Sequence, residues 1–245
     1  MSVLSHIQSC HLAHQPLLAV LLDPEKPASC EALFPHLNSV DLVLVGGSTG
    51  AECADFAGFI GLIRSHTTRP VVLFPGNVAQ FTPAADALLF LSLLTARTPD
   101  VLIEPHIRVA SAIRQSGIES IPMGYILIDG GHLSSVQRTT RSTPLPQTGI
   151  PAIVHTAIAG ELLGKQLIYL EAGSGAQTPV SQSIIRAVRE QIQVPLIVGG
   201  GICTPAQMLD AYQSGADIVV IGNHFEHHPG QLPLFLKAKN DYATR

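Results

Sequence analysis

Charge is what this sequence has least of. Only 13% of its 245 residues are Asp, Glu, Lys or Arg, about half the roughly 25% of an average soluble domain. The 14 Lys and Arg stand against 18 Asp and Glu, for a net charge of −4, and no basic run occurs. A nucleic-acid binder needs a basic footprint, so none is expected here. Disorder is excluded too: 46% of the residues are hydrophobic, whereas disordered chains combine low hydrophobicity with high charge. No apolar run reaches the ~18 residues that span a bilayer. The start, MSVLSHIQSCHLAH, has no basic region of the kind that opens a signal peptide. Cys10, Cys30, Cys53 and Cys203 form no CxxC pair and no zinc spacing. They read as reduced thiols of a cytoplasmic protein. So little charge implies extensive burial, an apolar ligand or an interface between subunits.

What is present is a rhythm. Eight short apolar runs read as strands: Leu17–Leu22, Leu42–Val45, Val71–Phe74, Ala87–Leu93, Met123–Ile128, Leu167–Leu170, Leu196–Val198 and Ile218–Ile221. Most are continuously apolar, as parallel strands buried on both faces are. Helical segments lie between them. Ile184, Ile185, Val188 and Ile192 share one face after Ser181, and Thr204-Pro205 reads as an N-cap followed by proline at the first helical position. No linker interrupts the pattern, so residues 1–245 read as one domain. Eight alternating units at this length predict an α/β fold, a (β/α)8 TIM barrel, with an open doubly wound sheet as the alternative. Breakers crowd Pro75 to Pro83, so the third crossover is expected to be a loop. Asp129 to Gly149 is long and polar, which predicts a functional or mobile loop.

Barrel active sites form at the carboxyl ends of the strands. Here those ends are dense in glycine and acid, and the opposite ends read as lacking both. Gly173-Ser174-Gly175, Gly199-Gly200-Gly201 and Gly222-Asn223 follow strands six, seven and eight. Glycine lets backbone N–H groups approach an anion, and the last loops of barrels often hold phosphate. Asp23 ends strand one and Ser48 follows strand two. Together they suit a hard cation such as Mg²⁺, or else they cap the next turns. Glu171, beside the glycines, suits a phosphorylated polyol whose hydroxyl proton it accepts; Tyr169 shares its side of the strand. The alternative is a solvated strand-end carboxylate. Of the lysines, only Lys26 lies near a strand end, which disfavours a Schiff-base aldolase. His11/His14 and His224/His227/His228 lack the acidic or thiol partners of a zinc site.

At these residues the chain resembles the geranylgeranylglyceryl phosphate synthase family, which includes a bacterial heptaprenylglyceryl phosphate synthase branch. Six segments, taken in order, carry the resemblance across nearly the whole chain. They are Leu22-Asp23-Pro24-Glu25-Lys26, Val45-Gly46-Gly47-Ser48-Thr49, Leu73-Phe74-Pro75-Gly76-Asn77, Gly124 to Gly131, Tyr169 to Ala176, and Val198-Gly199-Gly200-Gly201-Ile202. Ala157 to Gly164, reading AIAGELLG, resembles the archaeal-type group. The resemblance implies a modified TIM barrel whose third helix is replaced by a loop or extended segment. It implies a prenyltransferase that joins a long-chain prenyl diphosphate to the 3-hydroxyl of sn-glycerol 1-phosphate, making an ether lipid precursor and releasing diphosphate.

Carried over, Asp23 and Ser48 are the Mg²⁺ ligands. Tyr169, Leu170, Glu171, Ala172, Gly173, Ser174, Gly175, Gly200, Gly201, Gly222 and Asn223 hold glycerol phosphate, with Glu171 as base and Tyr169 beside it. Lys26, Arg138 and Arg141 are candidates for the diphosphate. Leu89, Leu91, Leu93 and Phe81 are candidates for the prenyl groove. The chain departs from the family at Glu104-Pro105-His106, where Gly-Gln-His is usual. Pro105 is expected to shift that helix start, and Glu104 adds negative charge near the groove. A homo-oligomer, dimer or hexamer, and transient contact with a membrane surface are expected. Two other readings fit the same residues: a different phosphate-binding barrel enzyme, such as a sugar-phosphate isomerase, and a catalytically silent isoprenoid binder.

Overall fold

The computed structural model describes residues 2–47 and 55–244. Eight parallel strands close into a barrel in chain order. They are β1 Leu17–Leu22, β2 Leu42–Val45, β3 Val71–Leu73, β4 Ala87–Leu93, β5 Glu119–Leu127, β6 Leu167–Glu171, β7 Leu196–Gly199 and β8 Ile218–Ile221. β8 pairs back onto β1 through Leu17↔Ile218, which closes the ring. The helices are α1 Val3–Leu12, α2 Pro27–Glu31, α3 Phe56–Arg64, α4 Pro99–Leu102, α5 Glu104–Ser116, α6 Ser135–Thr140, α7 Ile150–Leu162, α8 Gln182–Arg189, α9 Pro205–Gln213, α10 Asn223–His227 and α11 Leu232–Ala243. The TIM barrel expected from the sequence is therefore present. Between β3 and β4 the chain makes only a 3-10 turn, Val78–Gln80, as the breakers there predict.

Strand period sorts the side chains into two layers. Leu17, Ala19, Leu42, Leu44, Val72, Leu89, Tyr125 and Tyr169 point inward and fill the barrel. Leu18, Val20, Val43, Val71, Leu170 and Val198 point outward and pack under the helices. Helix α1 plugs the amino end of the barrel with Val3, Ile7 and Cys10, all buried in the interior cluster. Glu119 holds it there by accepting the N–H groups of Val3 and Leu4 at 2.7 and 3.0 Å.

Two sequence expectations need correction. β5 begins at Glu119 rather than Met123, and it runs through Pro122, whose carbonyl accepts the Gln166 N–H at 2.8 Å. Residues 129–149 are not structureless. Ser134 and Gln137 form a capping box that starts α6, and Leu145 bridges to Ile128 beside the barrel. Pro105 lies in the first turn of α5, where a missing N–H costs nothing.

The amino ends of the strands also carry more acid than the sequence reading assigned them. Asp41, Asp86 and Asp217 immediately precede β2, β4 and β8. Each accepts an N–H from the neighbouring odd-numbered strand: Leu18 at 2.7 Å, Val71 at 2.8 Å and Leu196 at 2.7 Å. Each is also paired with a cation, respectively Lys239, Arg64 and Arg189. Lys239 and Asp41 form the most enclosed pair, with side chains 8% and 14% exposed. Removing one partner of a buried pair strands the other charge. Asp41→Ala is expected to cost about 3–5 kcal/mol in urea unfolding, and adding Lys239→Met to recover part of it. A loss below about 1 kcal/mol would place the pair in the class of surface ion pairs.

Candidate active site

A cavity of about 850 Å³ opens at the carboxyl ends of the strands. Its polar half is built on β6, β7 and β8, and its apolar half on β4 and α5. The two halves meet beside Tyr169 and Glu171.

Strand period turns Tyr169 and Glu171 inward from β6. Glu171 is 7% exposed. Burial pushes its carboxyl above the usual range, and the Tyr169 hydroxyl and Gly173 N–H pull it part of the way back. The Gly173 N–H donates to Oε1 at 2.7 Å. Gly200 has to be glycine here: a Cβ would lie 2.4 Å from that same Oε1, and φ is +79°. Tyr169 stacks on Phe74 at 5.6 Å and meets Tyr125 edge-on at 5.3 Å. Both phenols are pushed well up by burial and by the nearby Glu171 carboxylate, so both remain protonated donors.

Around this carboxylate lie the glycine-rich loops after β6, β7 and β8. Ser174, Gly175, Gly200, Gly201, Gly222 and Asn223 all line the cavity. The backbone N–H groups of Ser174, Gly175, Gly201 and Asn223 donate to no backbone acceptor among the described residues. Converging free N–H groups are how a backbone binds phosphate. Three residues expected to contact ligand do not line the cavity. Leu170 and Ala172 alternate to the outer layer, and the Ala172 N–H is spent on the Gly199 carbonyl at 3.0 Å. Gly173 spends its N–H on Glu171 and so supports the site from behind.

Asp23 sits at the cavity edge past β1. Its carboxyl is half-buried and raised by that burial, against the lowering effect of the Glu25 N–H, which it accepts at 3.0 Å, and of Lys26. Gly47 packs so closely that a Cβ there would lie 2.7 Å from Asp23 Oδ1. Ser48, the other expected cation ligand, lies outside the described residues. Lys26 reaches Glu226 of α10 at 2.7 Å and joins the first and last strand loops across the cavity mouth. Arg138 of α6 lines the cavity, whereas Arg141 does not.

The apolar half contains Phe81, Leu89, Leu91 and Leu93, all expected, together with Phe90, Val109 and Ile113. His106 ties α5 to this wall through the Leu91 carbonyl at 2.6 Å, with its ring edge-on to Phe90 at 4.5 Å. Arg108 of α5 lines the mouth and was missed in the sequence. Its signal was its position one turn beyond Glu104, on a helix whose start drew attention instead.

The comparisons with known proteins agree with this geometry. The PcrB family matches residues 13–239. A geranylgeranylglyceryl phosphate synthase of Zunongwangia profunda is 45% identical over 228 residues, covering 92% of this chain and 97% of that protein. One from Spirosoma linguale is 42% identical over 227 residues, covering 91% and 90%. The crystal structure of (S)-3-O-geranylgeranylglyceryl phosphate synthase from Thermoplasma acidophilum, in complex with its substrate sn-glycerol-1-phosphate, superposes with a TM-score of 0.88 at 29% identity, covering 98% of this chain and 99% of that one. Sequence and fold therefore agree across almost the entire barrel, and the chain belongs to the PcrB family.

Proposed function

We propose that this protein is a prenyltransferase. It joins a long-chain prenyl diphosphate, geranylgeranyl diphosphate on the resemblance, to the 3-hydroxyl of sn-glycerol 1-phosphate, forming an ether and releasing diphosphate. The observation that carries this reading is one cavity with two chemistries: a cradle of free N–H groups and a groove of aliphatic and aromatic side chains, with a buried carboxylate between them. A sugar-phosphate isomerase needs only the first half. The relative from Thermoplasma acidophilum binds sn-glycerol-1-phosphate.

The mechanism follows from the placement. Phosphate lies against the Ser174, Gly175, Gly201 and Asn223 N–H groups, and the glycerol hydroxyls reach Glu171. The prenyl tail lies along β4 and α5. The allylic C1–O bond breaks, and its electron pair leaves with the diphosphate. The glycerol 3-hydroxyl oxygen forms the new bond to C1, and its proton passes to Glu171. Burial makes Glu171 a stronger base than a solvated carboxylate, which suits it to that proton. The Phe74, Tyr125 and Tyr169 rings offer π density to the positive charge that develops at C1.

Mg²⁺ belongs in the same reading. It takes one or two carboxylates and fills its shell with water and phosphate oxygens. Among the described residues no three His, Cys, Asp or Glu side chains come together to hold a metal. A single half-buried carboxylate, Asp23, at the cavity edge fits an ion that leans on substrate phosphates. Bound there, Mg²⁺ would neutralise charge on the departing diphosphate. Arg108 and Arg138 line the same cavity, as does Lys26 in its ion pair with Glu226.

A homo-oligomer in the cytoplasm remains part of the proposal. Leu162 and Leu163, 82% and 72% exposed at the end of α7, offer apolar surface to a second copy. No helix among the described residues is long and apolar enough to cross a membrane. Ile103 and Ile107, 49% and 60% exposed beside the groove, suit transient contact with a lipid surface.

Glu171→Gln should lower kcat by on the order of 10²-fold or more, while the protein stays folded. Because the Glu171 pKa is raised, the acid limb of kcat/KM should fall above the ordinary carboxylate value of about 4.3. An unchanged kcat would remove Glu171 from the role of base. Asp23→Asn should abolish the response of turnover to added Mg²⁺ after chelation; a full Mg²⁺ response in that variant would sink the cation assignment.

A further inference from the structure

The Gly173–Ser174–Gly175 turn is held only in part by its own hydrogen bonds. Its start is fixed by the Gly173 N–H on Glu171, and its end by the Ala176 N–H on the Gly173 carbonyl at 3.1 Å. The middle is held from outside. His132, half-buried in the loop after β5, places Nε2 2.9 Å from the Ser174 carbonyl oxygen.

That loop is itself fastened to the turn. The Gly130 carbonyl accepts the N–H groups of Gln177 and Thr178 at 2.9 and 3.1 Å. Fully buried Ser134 fills the space against Gly173, where an added Cβ would meet the Ser134 Cβ at 2.8 Å. His132 is thus presented to the turn by a rigid neighbour.

Two consequences follow from elementary chemistry. A carbonyl oxygen only accepts, so Nε2 carries the hydrogen of this bond. His132 Nδ1 is buried and has no hydrogen-bond partner among the described residues, an arrangement that carries a desolvation cost. The second consequence concerns the peptide. In a trans peptide plane the C=O and the following N–H point in opposite directions. Turning the Ser174 carbonyl toward His132 therefore turns the Gly175 N–H away from it. Gly175 lines the cavity, its N–H donates to no backbone acceptor among the described residues, and His132 itself does not line the cavity.

We propose that His132 is a positioning residue: by donating Nε2–H to the Ser174 carbonyl it locks the Ser174–Gly175 peptide with the Gly175 N–H aimed at the phosphate of the acceptor substrate. The inference rests on the reading that this turn holds the phosphate. It adds a residue outside the cavity that sets the affinity for one substrate and not the other.

The test is calorimetric binding of sn-glycerol 1-phosphate to the wild type, His132→Leu and His132→Gln, with steady-state kinetics beside it. His132→Leu keeps the bulk and loses the donor. Its Kd and KM for sn-glycerol 1-phosphate should rise roughly tenfold, as for the loss of one hydrogen bond to a charged group. Its kcat at saturating glycerol phosphate and its KM for prenyl diphosphate should hold. His132→Gln, whose amide donates to the same carbonyl, should recover most of the affinity. Binding by His132→Leu within about twofold of the wild type overturns the assignment. So does a Gln variant as weak as Leu at an unchanged melting temperature. A wild type that binds no sn-glycerol 1-phosphate overturns the reading of the turn itself, a result separate from either variant's behaviour.

Discussion

A carboxylate at the mouth of a dry barrel needs donors, and burying Glu171 constrains everything around it. The Gly173 N–H is drawn back onto its Oε1, which bends the chain into the turn that frees the next two N–H groups for an anion. The close approach of Oε1 forces glycine at position 200. Tyr169, two residues earlier on the same strand, is pressed beneath it and packed between Phe74 and Tyr125. Buried carboxylate, unpaired backbone N–H groups and aromatic wall are thus parts of one packing solution. The same burial that makes the carboxylate costly makes it basic.

Two groups of charged side chains sit at opposite ends of the barrel. At the amino ends, Asp41, Asp86 and Asp217 are satisfied by strand N–H groups and by cations, so they serve stability. At the carboxyl ends, Asp23 and Glu171 face a cavity and both have raised pKa values. Lys26 and Glu226 mark the boundary, since their ion pair links the loops of β1 and β8 across the mouth.

Much of this was legible in the sequence because parallel strands are apolar on both faces and glycine marks their ends. All eight strands, the missing third helix and the Thr204 cap could be read from pattern alone. The strand period that places Tyr169 with Glu171 also turns the Leu170 and Ala172 side chains outward, away from the cavity. β5 extends four residues before Met123, through Pro122, whose carbonyl the barrel still uses. Helix α6 was hidden in a polar stretch although Ser134-Ser135-Val136-Gln137 spells a capping box. His132 left no sequence signal, since its role depends on two loops meeting across the top of β5 and β6. The acids before β2, β4 and β8 were overlooked for the same reason: their partners lie on neighbouring strands.

The most direct measurement is a product assay with Mg²⁺ and geranylgeranyl diphosphate, offering sn-glycerol 1-phosphate and sn-glycerol 3-phosphate separately. The account predicts an ether product from the 1-phosphate alone, because on the proposed reading the glycine loops hold the phosphate and Glu171 receives the 3-hydroxyl. No ether from the 1-phosphate, with this donor or longer ones, would contradict it.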